Sequence, residues 1–174
     1  MTGFILAGGH SSRMGRDKAL LPVGSQTLIE VVMERIQSLV ARVVVIGNAS
    51  NAQPLQERLG RRVLTDLKPD CGPLMGVYTG LMHTDSALNL FVPCDMPWVE
   101  GRLIERLLAR CRGDVQAVAS AHPTAGLQPF PLVCHVKACR TVGALLNRGE
   151  RALQVLLRQP GAQLIAIEEP ELWR

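Results

Sequence analysis

The side chains with the greatest chemical capability stand in two places. One is a loop near the amino terminus, where Gly8-Gly9 is followed by Arg13, Gly15, Arg16 and Lys18. Glycine lets the main chain come close to an anion and present its N–H groups, and the cations neutralise the charge that arrives. Such a loop suits a polyphosphate. The other is a pair of acids, Asp66 and Asp95, each closing an apolar run. Asp95 follows Val92-Pro93-Cys94 directly and precedes Met96-Pro97. A carboxylate so placed suits Mg2+, which takes hard oxygen ligands, often one or two carboxylates plus substrate phosphates. Helix capping is the structural alternative for an acid at a strand end. Cys94 has no histidine partner nearby in sequence and reads as a small packing residue, not a nucleophile.

Two familiar phosphate loops are excluded. Walker A requires Gly, four residues, then Gly-Lys-Ser or Gly-Lys-Thr; here Gly15 is followed by Arg16-Asp17. The dinucleotide pattern G-x-G-x-x-G fails because Gly8 and Gly9 are adjacent.

The bulk numbers narrow the ligand class. The chain has 174 residues, enough for one domain with a sizeable core, and 47% hydrophobic content. Only 3% is aromatic, which argues against a base-stacking surface for nucleic acid. A net charge of +4 suits a small anionic ligand. Cys71, Cys94, Cys111, Cys134 and Cys139 form no C-x-x-C pair, so reduced thiols are expected. His122 and His135 near the last two match no common metal-ligand spacing. No signal peptide and no apolar run near the ~18–20 residues of a membrane span is visible, so the expected location is the cytoplasm.

An alternation of strands and helices must position these residues. Phe4–Ala7 is a short apolar run that reads as a buried strand. The spacing of Leu28, Val31, Val32, Ile36, Leu39 and Val40 predicts a helix over Ser25–Val40. Further strands are expected over Arg42–Gly47, Arg61–Asp66, Ala87–Pro93, Val115–Ser120, Phe130–His135 and Ala162–Ile167. Helices are expected over Pro54–Leu59, Met75–Thr84, Glu100–Cys111, Lys137–Asn147 and Arg151–Gln159, with His122–Pro129 as a loop rich in breakers. Strand, helix, strand in succession makes parallel right-handed crossovers, and uninterrupted apolar strands imply burial on both faces. The fold expected is α/β, a three-layer, doubly wound, mostly parallel sheet forming a single domain over residues 1–174. Ligands of such sheets bind beyond the carboxyl ends of the strands at a switch in strand order. The loop after Ala7, Asp66 and Asp95 would all lie there.

The string Leu6-Ala7-Gly8-Gly9, a polar gap, Arg13-Met14-Gly15, then Asp17-Lys18-Ala19-Leu20-Leu21 resembles the signature of nucleotidyltransferases that open with a Rossmann-like half. It is most similar to the molybdenum cofactor guanylyltransferases. Cys94-Asp95-Met96-Pro97 resembles that family's metal-binding turn. The likeness covers nearly the whole chain and is specific at residues 6–21 and 93–97. It implies transfer of GMP from GTP to molybdopterin carrying molybdenum, with release of pyrophosphate and Mg2+ as cofactor. It further implies nucleotide binding in the N-terminal half through Leu6, Ala7, Gly8, Gly9, Lys18, Asp66 and Asp95. Arg13, Lys18 and Asp95 would be catalytic, with Asp95 on the metal, while His10 and Arg16 are read as solvated.

Guanine presents two adjacent donors, N1–H and the 2-amino group, which one carboxylate can accept. The family places an acid after the third strand, here Asp66. Asn48, after the second strand, stands two positions from the match to a base-contacting asparagine. In the C-terminal half, Gln128-Pro129 resembles a position at the acceptor pocket. Asn147-Arg148-Gly149-Glu150-Arg151 resembles the stretch that brings an arginine, here Arg151, to the pterin phosphate. The partners implied are GTP, the molybdopterin cofactor and molybdoenzyme maturation proteins, with neither nucleic acid nor membrane. Members usually continue past the last strand into an Asn-x-Asn-Thr-Pro turn. This chain stops at Trp173-Arg174, which implies either a truncated chain or an altered acceptor site.

Three rival readings share parts of this pattern. Cytidylyltransferases for the same cofactor tend to carry Leu-Ala-Ala-Gly where this chain has Leu6-Ala7-Gly8-Gly9. Sugar-1-phosphate nucleotidyltransferases share the loop in longer chains. A non-catalytic nucleotide-binding protein that delivers cofactor would bind GTP without releasing pyrophosphate.

Overall fold

The strands alternate their side chains between two cores, and that alternation sets the architecture. The computed structural model describes residues 1–8 and 17–173. In chain order its elements are β1 (Thr2–Leu6), β2 (Pro22–Val23), β3 (Gln26–Thr27), α1 (Leu28–Gln37), β4 (Arg42–Gly47), α2 (Ala52–Leu59) and β5 (Val63–Thr65). There follow α3 (Gly72–Met82), β6 (Leu88–Pro93), α4 (Gly101–Arg110), β7 (Ala117–His122), β8 (Gly126–His135), α5 (Ala138–Asn147), α6 (Leu153–Leu156) and β9 (Ala162–Ala166). Short 3-10 turns cover Lys18–Leu20 and Pro170–Trp173.

Among the described residues the main sheet has seven strands in the order β5-β4-β1-β6-β8-β7-β9, and β8 alone runs against the others. Ile5, Val45, Leu90 and Val92 face α1, α2 and α4. Phe4, Leu6, Ile46 and Phe91 face α3, α5 and α6. The result is the expected three-layer, mostly parallel α/β fold. The chain winds outward through β1, β4 and β5, then returns to place β6 on the other side of β1.

The helix α3 lies unusually close to the sheet. Phe4 and Phe91 stack with ring centroids 5.0 Å apart. A Cβ on Gly80 would fall 2.5 Å from the Phe91 ring, and one on Gly76 would fall 3.0 Å from Leu6. Glycine inside a helix costs about 1 kcal/mol relative to alanine. Here that cost is offset by backbone approach, which seats α3 against the ends of β1 and β5.

Several expected boundaries differ. The first helix starts at Leu28 and not Ser25, because Gly24, at φ +63°, turns a small β2–β3 hairpin first. Pro73 occupies the first turn of α3, so that helix begins before Met75. The helix expected over Arg151–Gln159 shrinks to Leu153–Leu156. The largest correction concerns His122–Pro129, which is not a loop: β7 and β8 form a hairpin, with Gly126 at φ +74°. Pairing jumps from Val118↔Val133 to Ser120↔Gln128, so Pro129 and Pro131 fall in a bulge where the ladder demands no N–H.

Candidate active site

The carboxyl ends of β1, β4, β5 and β6 open on one cleft of about 1050 Å³. Leu6 and Gly8 line it from β1, Ile46 and Asn48 from β4, Asp66 from β5 and Pro93 from β6. Main-chain hydrogen bonds carry the sheet one step past its strands. The Ala7 N–H donates to the Ile46 carbonyl at 2.7 Å, the Asp66 N–H to Gly47 at 3.1 Å, and the Cys94 N–H to Leu6 at 3.0 Å. The loops therefore leave from a rigid edge.

Asn51, overlooked in the sequence, staples that edge. Its Nδ2 donates to the Ala7 carbonyl at 2.8 Å, and its Oδ1 accepts the Asn48 N–H at 2.7 Å. It is 6% exposed. A buried amide with both ends engaged fixes its neighbours more firmly than a solvated one. An asparagine in a turn before a helix gives no sequence signal that separates this role from ordinary turn chemistry. Asn48 itself lines the cleft and uses its own Oδ1 to order the turn, accepting from the N–H groups of Ser50 and Asn51.

Asp66 stands in a slot between two glycines. A Cβ on Gly8 would lie 3.2 Å from its Oδ2, and one on Gly76 would lie 3.7 Å from its Oδ1. The Thr79 hydroxyl donates to Oδ1 at 3.4 Å. Burial pushes this carboxyl up to about 6, against the smaller opposing effect of the Thr79 hydrogen bond.

Lys18 and Asp95 meet across the sheet edge, with Nζ 3.2 Å from Oδ2. Both side chains are about half exposed. Their neighbours Asp17 and Pro93 line the cleft, while Lys18 and Asp95 do not. Asp17 caps the short turn that carries Lys18, accepting the Ala19 N–H at 2.9 Å. Asp95 caps no helix, since α4 starts at Gly101 with Glu100 before it. Cys94 is buried, and burial first, then the charges of Asp95 and Asp17, push its thiol up to about 12. A thiol held that far from ionisation is a packing group.

Arg151 reaches the far wall of the cleft, where its guanidinium donates to the Asp70 carbonyl and its own carbonyl accepts the Leu74 N–H at 3.3 Å. Gln128 is not brought to this cleft; it lies inside β8, opposite Ser120. Phe130, carried out of register by the bulge, lines the cleft instead. Gly9, His10, Arg13 and Arg16 lie outside the described residues.

The match to known proteins spans the same elements. Residues 3–164 fit the family model described as the MobA-like NTP transferase domain. This chain belongs to the MobA-like NTP transferase family. A molybdenum cofactor guanylyltransferase of Serratia proteamaculans is 34% identical over 172 residues, 95% of this chain and 83% of that one. A protein of the same description from Vibrio parahaemolyticus is 33% identical over 156 residues, 89% of this chain and 78% of its own. Among solved structures, the molybdopterin-guanine dinucleotide biosynthesis protein A of Archaeoglobus fulgidus superposes with a TM-score of 0.76 at 22% identity, over 97% of this chain and 83% of that one. A nucleotidyl transferase of Methanothermobacter reaches 0.75 at 20% identity, over 98% and 89%. At those identities the structures speak to the fold. The family match covers every strand that opens on this cleft. Among the described residues no helix is long and apolar enough to cross a membrane.

Proposed function

We propose that this MobA-like nucleotidyltransferase moves GMP from GTP to the molybdenum-bearing molybdopterin cofactor, forming the guanine dinucleotide form and releasing pyrophosphate. The observation that carries this reading is the convergence of Gly8, Asn48 and Asp66 on one cleft, with the Lys18–Asp95 pair at its edge. Asp66 accepts the two adjacent donors of guanine. The glycine pair Gly8-Gly9 gives the triphosphate a close backbone approach. Lys18 and Arg13 neutralise charge as it builds on the departing pyrophosphate, which is the main help such a transfer needs from protein.

The divalent metal typical of these enzymes is read here as Mg2+. Asp95 fits it: a half-exposed carboxylate at a strand end, able to serve as the one protein ligand that Mg2+ takes alongside phosphates and water. Among the described residues no cluster of three acidic, histidine or cysteine side chains competes for that role. When bound, the ion would add positive charge beside the phosphates.

The acceptor lies in the C-terminal half of residues 1–174 and its terminal phosphate attacks the α-phosphorus in line. Arg151 keeps further N–H donors for that phosphate beyond the one given to Asp70. Gln128 contributes from the β7–β8 hairpin side, outside the cleft proper. No enzyme-bound intermediate is needed, in keeping with the inert Cys94. The product passes to molybdoenzyme maturation proteins in the cytoplasm.

Titration calorimetry with GTP, CTP and ATP in the presence of Mg2+ tests the assignment. GTP is expected to bind best, and failure to bind GTP overturns the reading. Pyrophosphate release with the acceptor separates a transferase from a carrier.

A further inference from the structure

We propose that Thr79 is a positioning residue for base selection: its buried hydroxyl aims the Asp66 carboxylate into the cleft. The inference rests on Asp66 being the guanine reader. Thr79 lies on α3 with no exposed surface, three residues after Gly76 and so on the same helix face. Its oxygen accepts the Leu67 N–H at 3.2 Å, the residue directly after Asp66. That occupies a lone pair and leaves the single hydroxyl proton for Asp66 Oδ1, 3.4 Å away. One side chain thus holds both the backbone that carries the acid and the acid itself.

On the opposite side, Gly8 leaves only a narrow gap to Oδ2. The Thr79 hydrogen bond orients Oδ1, and the missing Cβ at Gly8 leaves the room that Oδ2 occupies, so the aim of the carboxylate depends on Thr79. A guanine offers two donors to such a group, whereas hypoxanthine offers only N1–H. Discrimination between GTP and ITP therefore depends on how well the carboxylate is aimed.

The charged or titratable groups lining the same cleft are Asp17, Asp70, Cys71 and Arg151, and Lys68 follows on the adjoining loop. His83 lies behind, with Nδ1 2.8 Å from the Thr79 carbonyl.

The test compares wild type, Thr79→Val and Thr79→Ser, with GTP and ITP as alternative substrates. Thr79→Val keeps the shape and loses the hydroxyl; Thr79→Ser keeps the hydroxyl. The valine variant is expected to lose about 3- to 10-fold of the GTP-over-ITP preference, the range for one orienting hydrogen bond, through KM with kcat little changed. Its GTP affinity should also need a higher pH than wild type, because Asp66 loses the donor that favours its charged form. Serine should restore both, and His83→Gln should leave the pH shift in place. If valine retains the wild-type preference and pH profile, or serine fails as valine does, Thr79 is only structural. Wild-type protein that binds no GTP overturns the guanylyltransferase reading and this inference with it. GTP binding without preference over ITP overturns this inference alone.

Discussion

Two carboxylates in this chain are treated in opposite ways. At the start of α1, Glu30 Oε2 accepts the Thr27 N–H at 2.6 Å, the Thr27 hydroxyl at 2.7 Å and the Arg58 guanidinium at 2.8 Å. Arg58 above all holds Glu30 down at about 2, against the opposing effect of burial and with further help from Thr27. At the end of β5, Asp66 is more deeply buried, receives one long hydrogen bond and is pushed up to about 6. The first acid is saturated by its own chain, as a capping box requires. The second has been largely stripped of water and given only the long hydrogen bond from Thr79. An acid that the protein desolvates and leaves short of donors is one whose donors arrive with a ligand. Asp95, half exposed and facing Lys18, belongs with the second region by position.

If this contrast is right, substitutions at the cleft should cost catalysis or binding, and those at the α1 knot should cost only stability. The largest effect is expected for Asp95→Asn. The change keeps shape but removes the charge a metal needs, and loss of one such electrostatic element typically lowers turnover by roughly 10²–10³. The fold should persist, because Asp95 caps nothing. Pyrophosphate release under saturating Mg2+ is the measurement, and a near-normal rate removes Asp95 from the site.

Asp66→Asn should come next. Replacing a charged acceptor of two donors should weaken GTP binding roughly ten- to a hundredfold, since hydrogen bonds to charged groups are worth about 1.5–3 kcal/mol. Stability should move the other way. The native state holds the Asp66 proton to about pH 6, the unfolded chain only to about 3.8, so the native state binds more protons between those values and loses stability as pH rises through them. Asparagine escapes that loss. At pH 7 the variant should gain about 1 kcal/mol after discounting for partial exposure, roughly 2–4 °C in Tm. A variant that binds GTP normally, or melts lower than wild type, would break the contrast.

Glu30→Gln should show the reverse pattern. Loss of the cap and the ion pair should cost about 1–2 kcal/mol at neutral pH, with KM for GTP unchanged. The stabilisation Glu30 gives is fully present above its ordinary value of 4.5 and fades as pH falls towards about 2. Thermal melts of both proteins should therefore converge on acidification. A changed KM would show that the knot and the cleft are coupled.

The framework was largely legible because apolar strands and glycine stops are strong local signals. Arg42–Gly47 coincides with β4, and the alternation of strands and helices announced a mostly parallel sheet but not its strand order. The placement of Leu6, Gly8 and Asp66 at one cleft follows from topology alone. Tertiary detail was harder to read. Pro123, Gly126 and Pro129 suggested a loop over Gln128, because nothing local announces a bulge that excuses a proline from the ladder. Asn51 and Thr79 act on residues brought near by the fold, one across 44 positions to Ala7 and one across 13 to Asp66. No pattern of spacing reports such partners. The Arg58 partner of Glu30 was equally silent, since it lies 28 positions away.

The smallest effect is expected for Gly8→Ala, and it probes the contrast most finely. Gly8 has no left-handed backbone, so alanine is tolerated by the main chain. The added Cβ would lie 3.2 Å from Asp66 Oδ2, a few tenths of an ångström closer than ordinary contact. Either Asp66 rotates away from Gly8 or the Leu6–Gly8 turn lifts. The turn is held by the Asn51 amide on the Ala7 carbonyl, whereas Asp66 is held by one long hydrogen bond. The acid should therefore be the part that yields. A displaced carboxylate aims worse at guanine, so KM for GTP should rise about 3- to 10-fold with kcat near wild type. Tm should stay close to wild type, because the move costs no core contact and partly returns Asp66 to water. Combining Gly8→Ala with Asp66→Asn should add little to Asp66→Asn alone, since both act through the same group. If the two losses multiply instead, Gly8 serves the phosphates directly, and the slot around Asp66 is not what fixes the identity of that glycine.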